Sequence, residues 1–252
     1  MQKFILVFFI SFFSSFFVLS YSQVVQKQVE TREQLWLGYF NQTRISNRFG
    51  IWADVHWRTT DDFIKQKFQF VTHNGLTYFI NDNVRLTAGY TYSYLYPDNV
   101  QPGRPEHRPW QQIWWRQNYN RFQTLQWLRF EQRFKRKVEN GELTEDYNFN
   151  YRLRYNFALN IPLKGNKIEP KVPFFIIMDE IFINAGKEIK YNYFDNNRFF
   201  IGFGYQLSKQ LTFHLGYMNL FQQEASGYKY NNTNAIRFYV FHSLDLRRKE
   251  IK

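Results

Sequence analysis

Charged residues recur in mid-chain at a spacing that puts them together. In LRFEQRF (128–134), Arg129, Glu131 and Arg133 alternate with Leu128, Phe130 and Phe134. If this run is a β-strand, three charges share one face and the apolar residues the other. Arg116, Arg152, Arg154 and Arg237 fall on comparable faces of neighbouring runs, and Asp179 and Glu180 interrupt the apolar PFFIIMDEIFI (173–183). At least one of these adjacent carboxylates should join the arginines. Such a set has two uses. It can zip an interior closed, because charges with little water around them must pair. It can also bind or select anionic solutes, because the guanidinium fork matches carboxylate and phosphate.

Catalytic and metal chemistry find less support. The five histidines are His56, His73, His107, His214 and His242, and there is no cysteine. His242 adjoins Ser243, but neighbours in a strand face opposite sides and cannot act as a base and nucleophile pair. His214 would need a serine on an adjacent strand. No Gly-x-Ser-x-Gly elbow is present, and no local His, Asp and Glu spacing marks a metal site. The expectation is therefore no catalytic residue, no metal and no cofactor. GFGYQLS (202–208) has glycines but no helical pattern after it, so it reads as a strand whose inward glycines leave room for bulky neighbours. PDNVQPGRPEHRP (97–109) carries four of the seven prolines and reads as a surface loop.

The elements that must position these residues are strands. Tyr147, Phe149, Tyr151, Leu153, Tyr155, Phe157, Leu159 and Ile161 alternate with Asn148, Asn150, Arg152, Arg154, Asn156, Ala158 and Asn160. A helix of period 3.6 would scatter both sets round its surface. The pattern recurs over 85–96, 199–207, 211–218 and 236–246. Connections alternate in length. Short ones are expected over 43–47, 81–83, 120–123, 163–168 and 208–210, and longer ones over 59–65, 97–109, 137–145, 187–196 and 223–233. That alternation is the habit of outer-membrane barrels, and a soluble sandwich has no reason for it. The fold expected is all-β, an antiparallel transmembrane up-and-down barrel. Eleven strands are evident from 34–42 to 234–246. An even count then needs a weak twelfth over 24–31, or a barrel of ten.

The N-terminus suggests the compartment. Lys3 precedes an apolar run from Phe4 to Leu19, and Ser20 and Ser22 flank Tyr21 ahead of Gln23. This is the layout of a cleaved secretory signal over 1–22, leaving one domain over 23–252. The run is shorter than a spanning helix needs. Mean hydropathy is −0.55, yet 21% of residues are aromatic, a combination that strands with one polar face produce. Net charge is +12, but the basic residues are dispersed among acids rather than gathered in one stripe. Nucleic acid is thus not an expected partner. The expected partners are outer-membrane lipid, lipopolysaccharide phosphates and the barrel-assembly machinery.

Several segments also carry a joint resemblance: WLGYFNQTRISNRFG (36–50), HRPWQQ (107–112), LRFEQRF, YRLRY (151–155), DEIFIN (179–184), and NRFFIGFGYQLS with LGYMN (197–219). In order and spacing they resemble a Gram-negative domain-of-unknown-function family of outer-membrane β-barrels of roughly 200 residues. The resemblance implies an integral outer-membrane barrel with no established activity. The RFEQR charges, Asp179, Glu180 and Arg198 match its recurring positions without an assigned role. Where a typical barrel ends in an aromatic, this chain has Leu246 followed by Arg247. The function expected is structural, or passage of small solutes through a charged lumen, with porin-like character. The alternatives are a lipid-modifying outer-membrane hydrolase and a soluble periplasmic barrel that binds an apolar ligand.

Overall fold

The structure, a computed structural model, describes residues 26–99 and 101–247. The expected signal sequence lies outside the described residues, as does the tail from Arg248.

Among the described residues eleven strands follow one another: β1 (Gln28–Arg44), β2 (Phe49–Thr60), β3 (Gln66–Phe79), β4 (Val84–Leu95), β5 (Arg104–Tyr119), β6 (Phe122–Glu139), β7 (Glu142–Pro162), β8 (Val172–Ala185), β9 (Phe194–Gln206), β10 (Leu211–Gln223) and β11 (Lys229–Asp245). Each pairs antiparallel with its sequence neighbour, and β1 pairs with β11 to close the barrel. That last pairing is parallel, Gln28 facing Lys229 through to Arg44 facing Asp245. Parity requires this, since in an up-and-down meander the eleventh strand runs in the direction of the first. Of the segment 24–31 expected as a twelfth strand, residues 24 and 25 lie outside the described residues. Its described end belongs to β1, where residues 28–33 pair with β11 and residues 34–44 with both β11 and β2. The barrel is thus mixed rather than wholly antiparallel, and its count falls between the two even numbers expected.

Side chains alternate as the strands require. In β7, Asn150, Arg152, Arg154, Asn156 and Ala158 are buried, while Tyr151, Leu153, Tyr155 and Phe157 are exposed. Every strand turns at least one exposed Leu, Ile, Val, Phe or Tyr outward, from Leu37 and Tyr39 in β1 to Ile236 and Phe238 in β11. Inside, Trp36, Phe174, Ile176, Phe200, Met218, Leu220, Ala235 and Tyr239 form an apolar cluster against the walls of β1 and β8–β11. The inward glycines make space for it. A Cβ on Gly204 would run into the Phe174 ring, and one on Gly202 would meet Phe200 and Gly216.

The connections sort by rim with two departures. On one rim lie 45–48, 80–83, 120–121, 163–171 and 207–210, and on the other 61–65, 96–103, 140–141, 186–193 and 224–228. The long loop expected over 137–145 is instead a two-residue turn. Asn140 and Gly141 both have positive φ, 52° and 82°, which is the primed turn that an Asn-Gly pair favours. Strands β6 and β7 therefore rise together as a tall hairpin, β7 extending past the end of β8 at Ala185. Conversely, 163–171 is longer than expected. On the shorter-turn rim, Arg44 donates to Asp82 Oδ1 at 2.6 Å and holds that carboxyl below the usual range. Arg247 clamps Asp245 at 2.5 Å, and its hydrogen bond lowers that carboxyl to about 2.

Candidate functional site in the barrel interior

The interior site is built by parity. In β6 the odd residues face inward and in β7 the even ones, and the register sets Glu131 opposite Arg152 and Arg129 opposite Arg154. Two like charges face each other in the second pair, so each must lean toward a carboxylate elsewhere. Glu131, wholly buried, accepts from Arg152 Nε and Arg154 Nη1, each at 2.7 Å. Arg129 Nη1 stands 3.9 Å from it. Arg154 also donates to Glu180 Oε1 at 2.8 and 2.5 Å, and Arg198 lies 4.0 Å from Glu180 Oε2.

The chain of charges continues the other way. Arg152 Nη1 donates to Asp195 Oδ2 at 2.9 Å, and Arg133 reaches the same oxygen at 3.5 Å. Arg133 Nε donates to Glu106 Oε1 at 2.5 Å, and Arg108 Nη2 to Glu106 Oε2 at 2.7 Å. Alternating guanidinium and carboxylate groups thus run without a break from β5 to β9. Each carboxylate is shared by at least two arginines, which offsets the desolvation that an isolated buried ion would suffer.

The expected charge set is brought together only in part. Arg129, Glu131, Arg133, Arg152, Arg154 and Glu180 belong to the network. Asp179 does not: as the strand neighbour of Glu180 it faces outward, where its Oδ1 accepts from Asn197 Nδ2 at 2.9 Å. Arg116 does not either. It lies one residue beyond the β4 ladder, at the shorter-turn rim, and donates to Asn83 Oδ1 at 3.1 and 3.2 Å. Arg237 is buried inside, but on the opposite wall. Its guanidinium lies 3.4 Å above the Phe200 ring, with no carboxylate within 4.0 Å among the described residues. Sequence reasoning missed Arg58, Arg108, Glu106 and Asp195, the last because Asp195 meets Arg133 across 62 residues of chain.

Two further features stand on the interior face. Asp54 Oδ1 is 2.9 Å from His56 Nε2 and 2.5 Å from His73 Nδ1, and Asp54 Oδ2 accepts from Trp52 Nε1 at 2.6 Å. Only half of the signal was local: Asp54 and His56 are two apart on one strand face, whereas it is the register that sets His73 opposite Asp54. The three ligand atoms lie within 4.8 Å of one another. Ligands of one tetrahedral ion at about 2.0 Å stand roughly 3.3 Å apart. The closer approaches here are those of two imidazole N–H groups donating to one carboxylate. His214, the histidine weighed for catalysis, packs against Phe174 and Phe241 at ring separations of 5.5 and 4.5 Å.

The remaining interior space is a cavity of about 1460 Å³. Its walls include Lys67 and Asn99 near the longer-loop rim and Arg116, Lys209 and Ser243 near the other. Among the residues on its way, Arg58 sits over Trp36 at 3.5 Å and donates to Gln69 Oε1 at 2.7 Å.

Comparison with known proteins places the chain in one family. The profile of a protein of unknown function (DUF2490) matches residues 33–232, and the chain belongs to that family. No curated protein and no solved structure matches it.

Proposed function

We propose that this protein is an integral barrel of a bacterial outer membrane that gives small solutes a narrow, charge-lined path. The observation that carries the reading is the inversion of polarity across the closed wall. Exposed Leu, Ile, Phe and Tyr face outward from all eleven strands, while arginines and carboxylates are buried inside. A soluble monomer seldom exposes so continuous an apolar belt, and lipid stabilises it. Closure removes the free strand edges that hydrocarbon would not tolerate. The strands have 12 to 21 residues, longer than the roughly 9–11 that a tilted strand needs to cross.

Polar groups on the outer face are hydrogen-bonded sideways, as a medium without water favours. Tyr39 Oη meets His242 Nδ1 at 2.8 Å, Tyr155 Oη donates to Gln126 at 2.7 Å, and Tyr217 Oη donates to Asn234 at 2.5 Å. Interior charges alone would also suit a sealed structural barrel. The cavity, with wall residues near both rims, favours passage, and the Arg–carboxylate chain narrows it to small solutes.

The test is reconstitution. In planar bilayers the purified, refolded barrel should give small channel events whose reversal potential in a salt gradient favours anions. Absence of events from a barrel shown to be folded by heat-modifiable gel migration contradicts passage. Absence of heat-modifiability contradicts the membrane barrel itself.

A further inference from the structure

The interior has two unlike walls. The wall of β5–β9 pairs Arg108, Arg129, Arg133, Arg152 and Arg154 with carboxylates. The wall of β1, β2 and β9–β11 holds three arginines that are poorly compensated. Arg58 and Arg237 have no carboxylate within 4.0 Å among the described residues, and Arg198 reaches only Glu180, at 4.0 Å, which Arg154 already engages at 2.5 Å. Among the described residues seven arginines, Arg58 and Arg237 among them, are buried in the barrel against five carboxylates, with Arg198 half-buried beside them, and one of those five, Asp54, is held by two histidines and an indole.

All three arginines are held over aromatic rings. Arg58 and Arg198 share Trp36, at 3.5 and 5.1 Å, and Arg237 lies over Phe200 at 3.4 Å and Tyr239 at 4.7 Å. Stacking fixes the plane of a guanidinium while leaving its edge donors free. The Nε of each of the three has no hydrogen-bond partner, although each residue lines the cavity. Buried charged donors left unpaired are costly, and a negative charge in the cavity beside these guanidinium groups would offset the positive charge that no carboxylate balances. The same cavity is walled by Phe174, Ile176, Met218 and Leu220, which offer apolar contact beside the charged edges.

We propose that Arg58, Arg198 and Arg237 form a binding site for a small amphipathic anion. Its carboxylate or phosphate head meets the guanidinium edges, and its apolar body lies against the cluster of β8–β11. The proposal deepens the solute-path reading and rests on it for access from outside. It names the class of solute that the path holds.

The test uses the full mature chain refolded in zwitterionic detergent, with phenyl phosphate, benzoate, inorganic phosphate and benzyl alcohol as probes. Binding is followed by calorimetry and by quenching of tryptophan fluorescence. Phenyl phosphate or benzoate should bind saturably, at least tenfold more tightly than inorganic phosphate, with benzyl alcohol not binding. Whichever aromatic acid binds more tightly identifies the head group. R58Q and R237Q should each weaken binding by about tenfold to a hundredfold, the usual range for a lost charge-assisted contact, while R48Q, at an exposed arginine of the 45–48 turn that does not line the cavity, should leave it unchanged.

No saturable binding to the wild type overturns the proposal. So does a loss in R48Q equal to those in R58Q and R237Q. If a glutamine variant does not refold, the wild-type series still decides, because equal affinity for phenyl phosphate and benzyl alcohol removes the role of the charge. A barrel that inserts and conducts but binds none of the probes defeats this site alone. One that binds yet fails to insert defeats the membrane reading alone.

Discussion

Ile201 offers a sharp test of which medium surrounds the barrel. It lies near the middle of β9, 38% exposed and facing outward, with Ile177 and Tyr217 as its cross-strand partners. It stands five residues from Gln206, where the strand ends at the shorter-turn rim. At about 3.3 Å per residue and a tilt of roughly 40°, that is about 13 Å along the barrel axis, close to half of an apolar band about 25 Å tall. No carboxylate is paired with it across either ladder. In lipid, Ile201→Arg should therefore show the midplane cost of roughly 2–4 kcal/mol, while Leu207→Arg, just beyond the strand end, should cost about 0–1 kcal/mol. On a water-exposed surface both changes would stay within about 0.5 kcal/mol. Reversible guanidinium unfolding in phospholipid vesicles measures the difference from the shift in midpoint at constant slope. Equal and small effects at the two depths would refute the reasoning.

Three other perturbations address the interior and the rim. Glu131→Gln leaves Arg152 and Arg154 each short of a buried partner and should destabilise the barrel by about 3–5 kcal/mol in the same assay; a loss below about 1 kcal/mol would mean that water already screens the network. Gly204→Ala drives a methyl into the Phe174 ring and should cost about 1–3 kcal/mol by overpacking; a neutral result would show that the ring has room to move. At the rim, Arg247 lowers the Asp245 carboxyl to about 2. A depressed acid contributes stability above its unfolded value, and that contribution is lost as pH falls through the folded one. Hence the clamp should persist from neutral pH to near pH 2, and an Asp245 carboxyl resonance titrating near 4 would contradict it.

The alternation in β7 carried most of the fold, because a period of two separates faces without any knowledge of neighbours. It also placed Arg129, Glu131, Arg133, Arg152 and Arg154 inside. Parity alone could not tell which of Asp179 and Glu180 faces in, since the apolar run around them offers a hydrophobic residue to either face. Depth was hidden as well: Arg116 has inward parity but sits at a rim, and only the register with β4 reveals this. Asn140-Gly141 was a readable hairpin signal masked by the charged residues around it. The eleven strands were countable from local alternation and were set aside for an even number, whereas the parallel seam, like the meeting of Asp195 with Arg133 and Arg152, arises only on closure. Both depend on contacts between distant parts of the chain that no local pattern encodes.

The central claim is that the apolar belt meets lipid. The most direct measurement is fractionation of cells producing the full chain, followed by alkaline carbonate extraction of the outer-membrane fraction. The protein should remain in the pellet and migrate faster on gels before heating than after. Release into the carbonate supernatant, with migration unchanged by heating, would contradict it.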